Sequence, residues 1–493
     1  MAKRLMVCSC AGSQAVDADG IAAATGLACS RVHSGLCTTE AGALDAALRG
    51  EDEVIVACAQ EVATFEEIAT AAGVAPPATV DLRDRAGWSD EGDAAGPKMA
   101  ALAAEAALPA VGSKTIDVVS EGVCLIVGPG AVALPAAEQV AGALNVTVLL
   151  TDDADLPLTR GVDVVRGRLK RVRGALGQFE VEIDALQQVD PAGRGAFSLT
   201  PPRDGGRSDC DVIVDLTGGP AFVPAPDKRE GYLRADPKDP LAVARLMTQA
   251  VQLVGTFEKP LYVRLEESLC AHSRAGQTGC TRCLDVCPTG AITPAGDHVS
   301  IDPMVCAGCG SCAALCPSQA IAYDDPPVAA LLRRMEVLAN TYRAAGGTAP
   351  RLLVHDDAHG AEMIRLSARF GRGLPADVIP LGLTTIAGFG HAEMLAALAH
   401  GFAAVDVLVA PTTERDALDR EIVLADAIGG VGKLRLLEVA DPDALSDALY
   451  AAVAPAPLAE PVLPMGSRRQ VTRLAAQALN PGAEAPLPLP YGA

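Results

Sequence analysis

Aromatic residues are scarce in this 493-residue chain. They make up 3% of it, with one Trp, so its cores must be built from Ala, Val and Leu in layered sheets and helices. Positive charge is also in deficit. Lys and Arg number 40 against 61 Asp and Glu, and the net charge of −21 disfavours nucleic acid and anionic membrane as partners. No run of about twenty apolar residues free of charge occurs. The most apolar stretch, 123–150, is broken by Pro129, Pro135, Glu138 and Asn145 and reads as strand, helix, strand, so no membrane span is expected. The N-terminus carries Lys3 and Arg4 but neither the apolar segment of a secretory signal nor a twin arginine, and the cytoplasm is the expected address. No catalytic triad, pair of acid–base carboxylates or P-loop stands out. Half of the residues are hydrophobic, which excludes wholesale disorder, and the length suits roughly three domains of about 150 residues.

What the chain does have is cysteine. Its fifteen cysteines fall into three sets: Cys8, Cys10, Cys29, Cys37 and Cys58; Cys124 and Cys210 singly; and eight between Cys270 and Cys316. In a reducing compartment grouped cysteines point to metal ligands or redox thiols rather than disulfides. Residues 306–317 read Cys306-Ala-Gly-Cys309-Gly-Ser-Cys312-Ala-Ala-Leu-Cys316-Pro317, the C-x2-C-x2-C-x3-C-P run of two-cluster ferredoxins. Upstream, Cys270 is followed after nine residues by Cys280-Thr-Arg-Cys283-Leu-Asp-Val-Cys287-Pro288, the same motif with its first spacer lengthened. Short loops of small residues let three thiolates wrap one cube, and the Cys-Pro leaves along a helix toward a second. Each Cys-Pro is followed by a matching signature, Thr289-Gly-Ala-Ile292 and Ser318-Gln-Ala-Ile321. Thiolates also suit zinc, but zinc needs no paired Cys-Pro exchange.

The segment 261–325 resembles bacterial 2×(4Fe-4S) ferredoxins. The resemblance implies one cluster on Cys270, Cys280, Cys283 and Cys316 and a neighbour on Cys306, Cys309, Cys312 and Cys287. The departure is the spacer Ala271 to Gly279, where His272 is either a substitute ligand or an ordinary loop histidine.

Residues 1–75 alternate strand and helix: Leu5–Cys8, a helix from Asp17, Ala41–Arg49, Val54–Ala57 and Val62–Ala72. Cys8, Cys10, Cys37 and Cys58 then fall at strand ends and adjoining loops, where open sheets gather their sites. Cys8-Ser-Cys10, Leu36-Cys37 and Val56-Ala57-Cys58 with Thr64-Phe65 resemble the N-terminal module of the heterodisulfide reductase A subunit. That resemblance implies a third 4Fe-4S cluster on Cys10, Cys37 and Cys58 with Cys8 as fourth ligand. The alternative is a set of buried cysteines acting as small hydrophobes. Cys29 is expected in the core, on a helix.

Residues 123–152 follow the order strand, Gly128-Pro-Gly130-Ala-Val-Ala133, helix to Leu144, strand, Asp152, which is that of a dinucleotide fingerprint. A hairpin through 161–183 and a strand ending in Thr217-Gly218-Gly219 complete a resemblance to the flavoprotein core of the same reductase subunit, without its second glycine fingerprint. FAD or NAD(P) at Gly128, Gly130, Ala133 and Asp152 is one implication. A relic serving as scaffold is the other.

From Pro326 the pattern is again α/β: helix to Ala345, strand Arg351–Val354, helix Ala361–Phe370, strand Val378–Leu381, helix Ala392–Gly401, strand Val405–Val409, then two further pairs. Residues 351–410 resemble the delta subunit of methyl-viologen-reducing hydrogenase without its cysteines, which implies a docking domain. His355 and His359 flank a strand-to-helix turn that suits capping better than metal binding. Segments 453–466 and 480–493 are rich in Pro and Ala, and suggest a linker and tail.

The expected fold is thus α/β multidomain, with parallel-sheet modules and an inserted bacterial two-cluster ferredoxin domain. The expected divisions are 1–75, a linker or helical segment 76–120, a Rossmann-like domain 121–260, the ferredoxin domain 261–325, the docking domain 326–452, and 453–493. The expected function is relay of single electrons between a cytoplasmic donor and a partner oxidoreductase. Similar ferredoxin-like chains accompany molybdenum formate dehydrogenases, which suggests that partner. A flavin-dependent oxidoreductase acting on nicotinamide or disulfide, and an accessory protein for metalloenzyme maturation, are the alternatives.

Overall fold

The computed structural model describes all residues except 1, 157–160, 191–196, 275, 484 and 492–493. It is mixed α/β with several parallel sheets, and it divides into two compact units, Ser113–Gly308 and a second made of Met1–Gly112 with Cys309–Ala493.

The discontinuous unit holds two four-stranded parallel sheets. The first runs in the order Ala28–Cys29, Lys3–Met6, Glu53–Val56, Ala78–Thr79. The second runs Val378–Leu383, Arg351–Asp356, Ala404–Leu408, Leu434–Leu437. They share one hydrophobic core, to which Leu5, Ile55 and Leu82 contribute from the N-terminal half and Met335, Leu352 and Leu395 from the C-terminal half. Two helices link them, Gly96–Ala106 and Val328–Ala344. The first lies within the segment expected as linker or helical, and its Lys98 and Met99–Ala103 are all buried. Its Ala side chains allow the close approach but give little sequence signal.

Three local expectations need correction. Cys29 lies on a strand, not a helix, because Gly26 at φ 72° ends the helix Ala18–Thr25 in a left-handed turn. Among the described residues after Val409 a single further strand forms, Leu434–Leu437, flanked by helices Arg415–Ala425 and Pro442–Tyr450. Within 453–493 stands a helix, Arg468–Leu479, whose Val471 and Ala475 are buried in the shared core and whose Ser467 and Gln470 form a capping box. Of the expected tail, 484 and 492–493 lie outside the described residues.

In the other unit a seven-stranded sheet runs Gly206–Cys210, Phe179–Gln188, Asp163–Arg173, Asn145–Leu150, Val123–Gly128, Val212–Asp215, Tyr232–Arg234. Its centre is parallel, and the expected hairpin forms its antiparallel arm. Helices Gly130–Val140 and Pro240–Val251 cover one face. Among the described residues no helix is long and apolar enough to cross a membrane.

Lys98 is fully buried and donates to the carbonyls of Pro375 at 2.8 Å and Leu374 at 3.3 Å. Burial pulls its pKa from 10.5 down to about 7, against the pull of Asp377 and Glu91. Between these two values the unfolded chain holds a proton that the folded chain does not, so folding is favoured as pH rises. Relative to Lys98→Met, wild type is expected to gain stability from pH 7 to 10, with a slope of at most about 1.4 kcal/mol per pH unit. Urea midpoints of both proteins across that range check it, and parallel curves would refute it.

Candidate iron–sulfur sites

In the Ser113–Gly308 unit, Cys270 ends a short turn and Cys280 starts the run. Within the nine-residue spacer Ser273–Arg274 pairs antiparallel with Gln277–Thr278; residue 275 lies outside the described residues. The pairing is closed by Gly279 N–H donating to the His272 carbonyl at 2.7 Å, while His272 Nδ1 lies 3.0 Å from the Cys280 carbonyl. The lengthened spacer is therefore an excursion that returns the chain to its starting point. His272 is buried and held to backbone.

The helix Arg282–Val286 ends on Cys287 at φ −75°, ψ 107°, and the helix Ser311–Leu315 of the other unit ends on Cys316 at φ −70°, ψ 107°. Each terminal sulfur lies 3.7 Å from the hydroxyl two residues on, Thr289 in one case and Ser318 in the other. The two runs thus repeat one local geometry. Ile321 N–H also points at Cys316 Sγ at 3.4 Å, and Thr385 Oγ1 donates to the Cys309 carbonyl at 2.8 Å. Cys312 is buried; Cys283, Cys306 and Cys309 are half-buried. Burial pushes the Cys306 thiol pKa up, and the Gly308 N–H opposes the shift.

Arginines distant in sequence brace each run. Arg229 donates to the Thr289 carbonyl at 2.7 Å. Arg468 donates to the Ala313 carbonyl at 2.6 Å and is gripped by both Glu393 oxygens at 2.7 Å. Sequence reading missed both residues, since no motif links an arginine to a cysteine run at such separations.

At the N-terminal sheet, Cys8, Cys10, Cys37 and Cys58 line one cavity of about 370 Å³, and Cys29 does not. Hydrogen-bond donors face its sulfurs. Cys10 N–H points at Cys8 Sγ at 3.4 Å, and Arg83 Nη1 at Cys10 Sγ at 3.5 Å. Burial raises the Cys58 thiol pKa, and the backbone N–H groups of Glu61 and Gln60 oppose the rise. Cys10 and Ala11 hold left-handed backbone at φ 51° and 57°, a strained geometry for residues with a Cβ. Arg83 is fixed between Asp84 at 2.9 Å and the ring of Trp88 at 4.0 Å, and Asp84 also binds Arg369 from the helix His359–Phe370. Four soft donors around a cavity, with N–H groups aimed at sulfur, fit a thiolate-held cluster. Among the described residues no three His, Cys, Asp or Glu side chains converge on a single-ion position.

The dinucleotide expectation fares differently. Gly128 ends its strand, Gly130 begins the helix and Ala133 is buried beneath it. Asp152 turns its carboxylate onto that helix, accepting from Gly130 N–H at 3.1 Å. A Cβ at Gly130 would stand 2.3 Å from the Ala154 side chain, and one at Gly128 2.9 Å from Leu216. The chain's own acid and the following residues fill the place a pyrophosphate needs at a helix N-terminus. These residues do not fit a bound dinucleotide. Asp356 likewise caps its own turn, Oδ1 accepting from Ala358 and Gly360 N–H at 2.8 and 3.2 Å, while burial pushes the His355 pKa down to about 4.

Comparison with known proteins matches residues 278–320 to the family described as "4Fe-4S dicluster domain". The protein named "Ferredoxin 7Fe" from Hydrogenibacillus schlegelii is 46% identical over 43 residues, which are 9% of this chain and 55% of that protein. The chain therefore spans about half the length of this curated relative. With its paired Cys-Pro runs, the chain carries a 4Fe-4S dicluster ferredoxin domain within a larger α/β architecture and is an iron–sulfur protein.

Proposed function

We propose that the chain relays single electrons between a cytoplasmic donor and a partner oxidoreductase through three 4Fe-4S clusters. Two would be held by Cys270, Cys280, Cys283 and Cys316 and by Cys306, Cys309, Cys312 and Cys287, and the third by Cys8, Cys10, Cys37 and Cys58. The observation that carries this reading is the pair of Cys-Pro-terminated runs within the dicluster match. Such clusters, when bound, accept and release one electron each with no bond made or broken. This chain's residues supply thiolate ligands, N–H donors to sulfur and burial. The N-terminal cysteines would serve as entry or exit, and the Cys-less C-terminal sheet as a docking surface.

The partner proposed, from the resemblance alone, is a molybdenum formate dehydrogenase. Electron delivery is tested by mixing dithionite-reduced protein with a one-electron acceptor such as cytochrome c in a stopped-flow instrument. Several equivalents transferred per chain are expected, and none would refute the relay. A partner produced without this chain is expected to be fully loaded with its metal but cut off from electron flow. A partner lacking its metal would favour the maturation role instead.

A further inference from the structure

In the Ser113–Gly308 unit, Arg229 is 7% exposed, and the negative groups whose field reaches it are Asp302 and Cys287. Its Nη1 donates to the Gly174 carbonyl at 2.6 Å and its Nη2 to the Thr289 carbonyl at 2.7 Å, while its buried Nε has no partner. No carboxylate forms an ion pair with it among the described residues: Glu230 pairs with Lys259 at 2.9 Å, and Asp302, which acts on Arg229 from beyond ion-pair distance, turns its Oδ1 to Met304 and Val305 N–H. A guanidinium removed from water without a paired anion is strongly unfavourable, so a buried cation of this kind calls for a countercharge. The other negative group acting on it is Cys287, two residues from the Thr289 carbonyl that Arg229 binds, with its sulfur 3.7 Å from the Thr289 hydroxyl. Arg468, by contrast, is already matched by Glu393 at 2.7 Å.

We propose that Arg229 is the fixed countercharge of the cluster that takes Cys287 and raises that cluster's reduction potential. The inference rests on the reading of Cys287 as a ligand. A thiolate-held cluster gains one negative charge when it accepts one electron from a reductant, and no bond forms or breaks. A permanent cation nearby therefore favours the reduced state. The chain would thus make its two ferredoxin clusters unequal through one arginine from outside the ferredoxin segment.

The test is an anaerobic redox titration of the full chain with dithionite and mediators, followed by EPR, on wild type, Arg229→Gln, Arg229→Met and Arg229→Lys. In the Gln and Met variants the one-electron reduction constant of one dicluster centre is expected to fall at least about tenfold, about 59 mV, while the other moves less than about threefold. Arg229→Lys, which keeps the charge, is expected to stay within about threefold of wild type. Gln or Met variants with wild-type iron and unshifted potentials, or an equal shift of both centres, would overturn the proposal. If neither neutral variant loads iron, a tenfold fall in the Lys variant overturns it and a wild-type value supports it. Cys287→Ala retaining full iron and both EPR signals would instead remove the ligand reading on which the inference stands.

Discussion

Cys37→Ser is expected to lower the iron of anaerobically isolated protein from about twelve atoms per chain to about eight, with sulfide falling in step. Cys37 lines the N-terminal cavity with Cys8, Cys10 and Cys58, so losing one of four thiolates should leave the third cluster unassembled. The dicluster cysteines, 270–316, are untouched by the change, and their EPR signals after reduction should persist. Cys29→Ser supplies the control. Cys29 is absent from the cavity wall and packs at the edge of the shared core, so its iron count should equal that of wild type. Wild type with about eight irons would confine the clusters to the ferredoxin segment, and stoichiometric zinc would remove the redox reading altogether.

The second large effect is expected at Arg468. Its guanidinium is buried, gripped by both Glu393 oxygens, and near Glu421, which accepts from His391 N–H at 2.9 Å. Arg468→Met would leave the Glu393 carboxylate 1% exposed and uncompensated, which costs about 3–5 kcal/mol. It would also free the carbonyls of Ala313 and Ala314, which lead into Cys316. The denaturation midpoint should drop by the corresponding amount, and one of the two dicluster EPR signals should weaken. In the double variant Arg468→Met with Glu393→Leu, both charges are gone and much of the stability should return. Equal loss in the single and double variants would show that the ion pair is not the cause.

Legibility from sequence followed the range of the physical signal. The helix Val62–Ala72 and the hairpin arm Asp163–Arg173 with Phe179–Gln188 were readable because periodicity is local. The cysteine runs were readable because a cube demands close spacing. Gly96–Ala106 was legible only as part of a linker or helical segment, since an alanine-rich helix buried on several sides has little amphipathic contrast. Arg83, Arg229 and Arg468 were not readable, since their contacts join residues 73, 60 and 155 positions apart. The Gly128-to-Asp152 pattern shows the opposite case. Its spacing satisfies a dinucleotide fingerprint, but only three dimensions reveal that the terminal acid bonds Gly130 itself.

The shared core of the discontinuous unit also dictates an order of events during synthesis. Leu5, Ile55 and Leu82 are buried with Met335, Leu352 and Leu395, more than 200 residues later in the chain. A nascent chain emerges from its N-terminus, so the first sheet leaves the ribosome long before the residues that complete its interior exist. Ser113–Gly308 can condense in the meantime, as can the small core of residues 6–69 around Cys8, Cys37 and Cys58, while the opposite face of the first sheet stays uncovered. The cavity of Cys8, Cys10, Cys37 and Cys58 is also lined by Arg365 and Arg369, so the cluster proposed there would gain that part of its wall only once the C-terminal half is made.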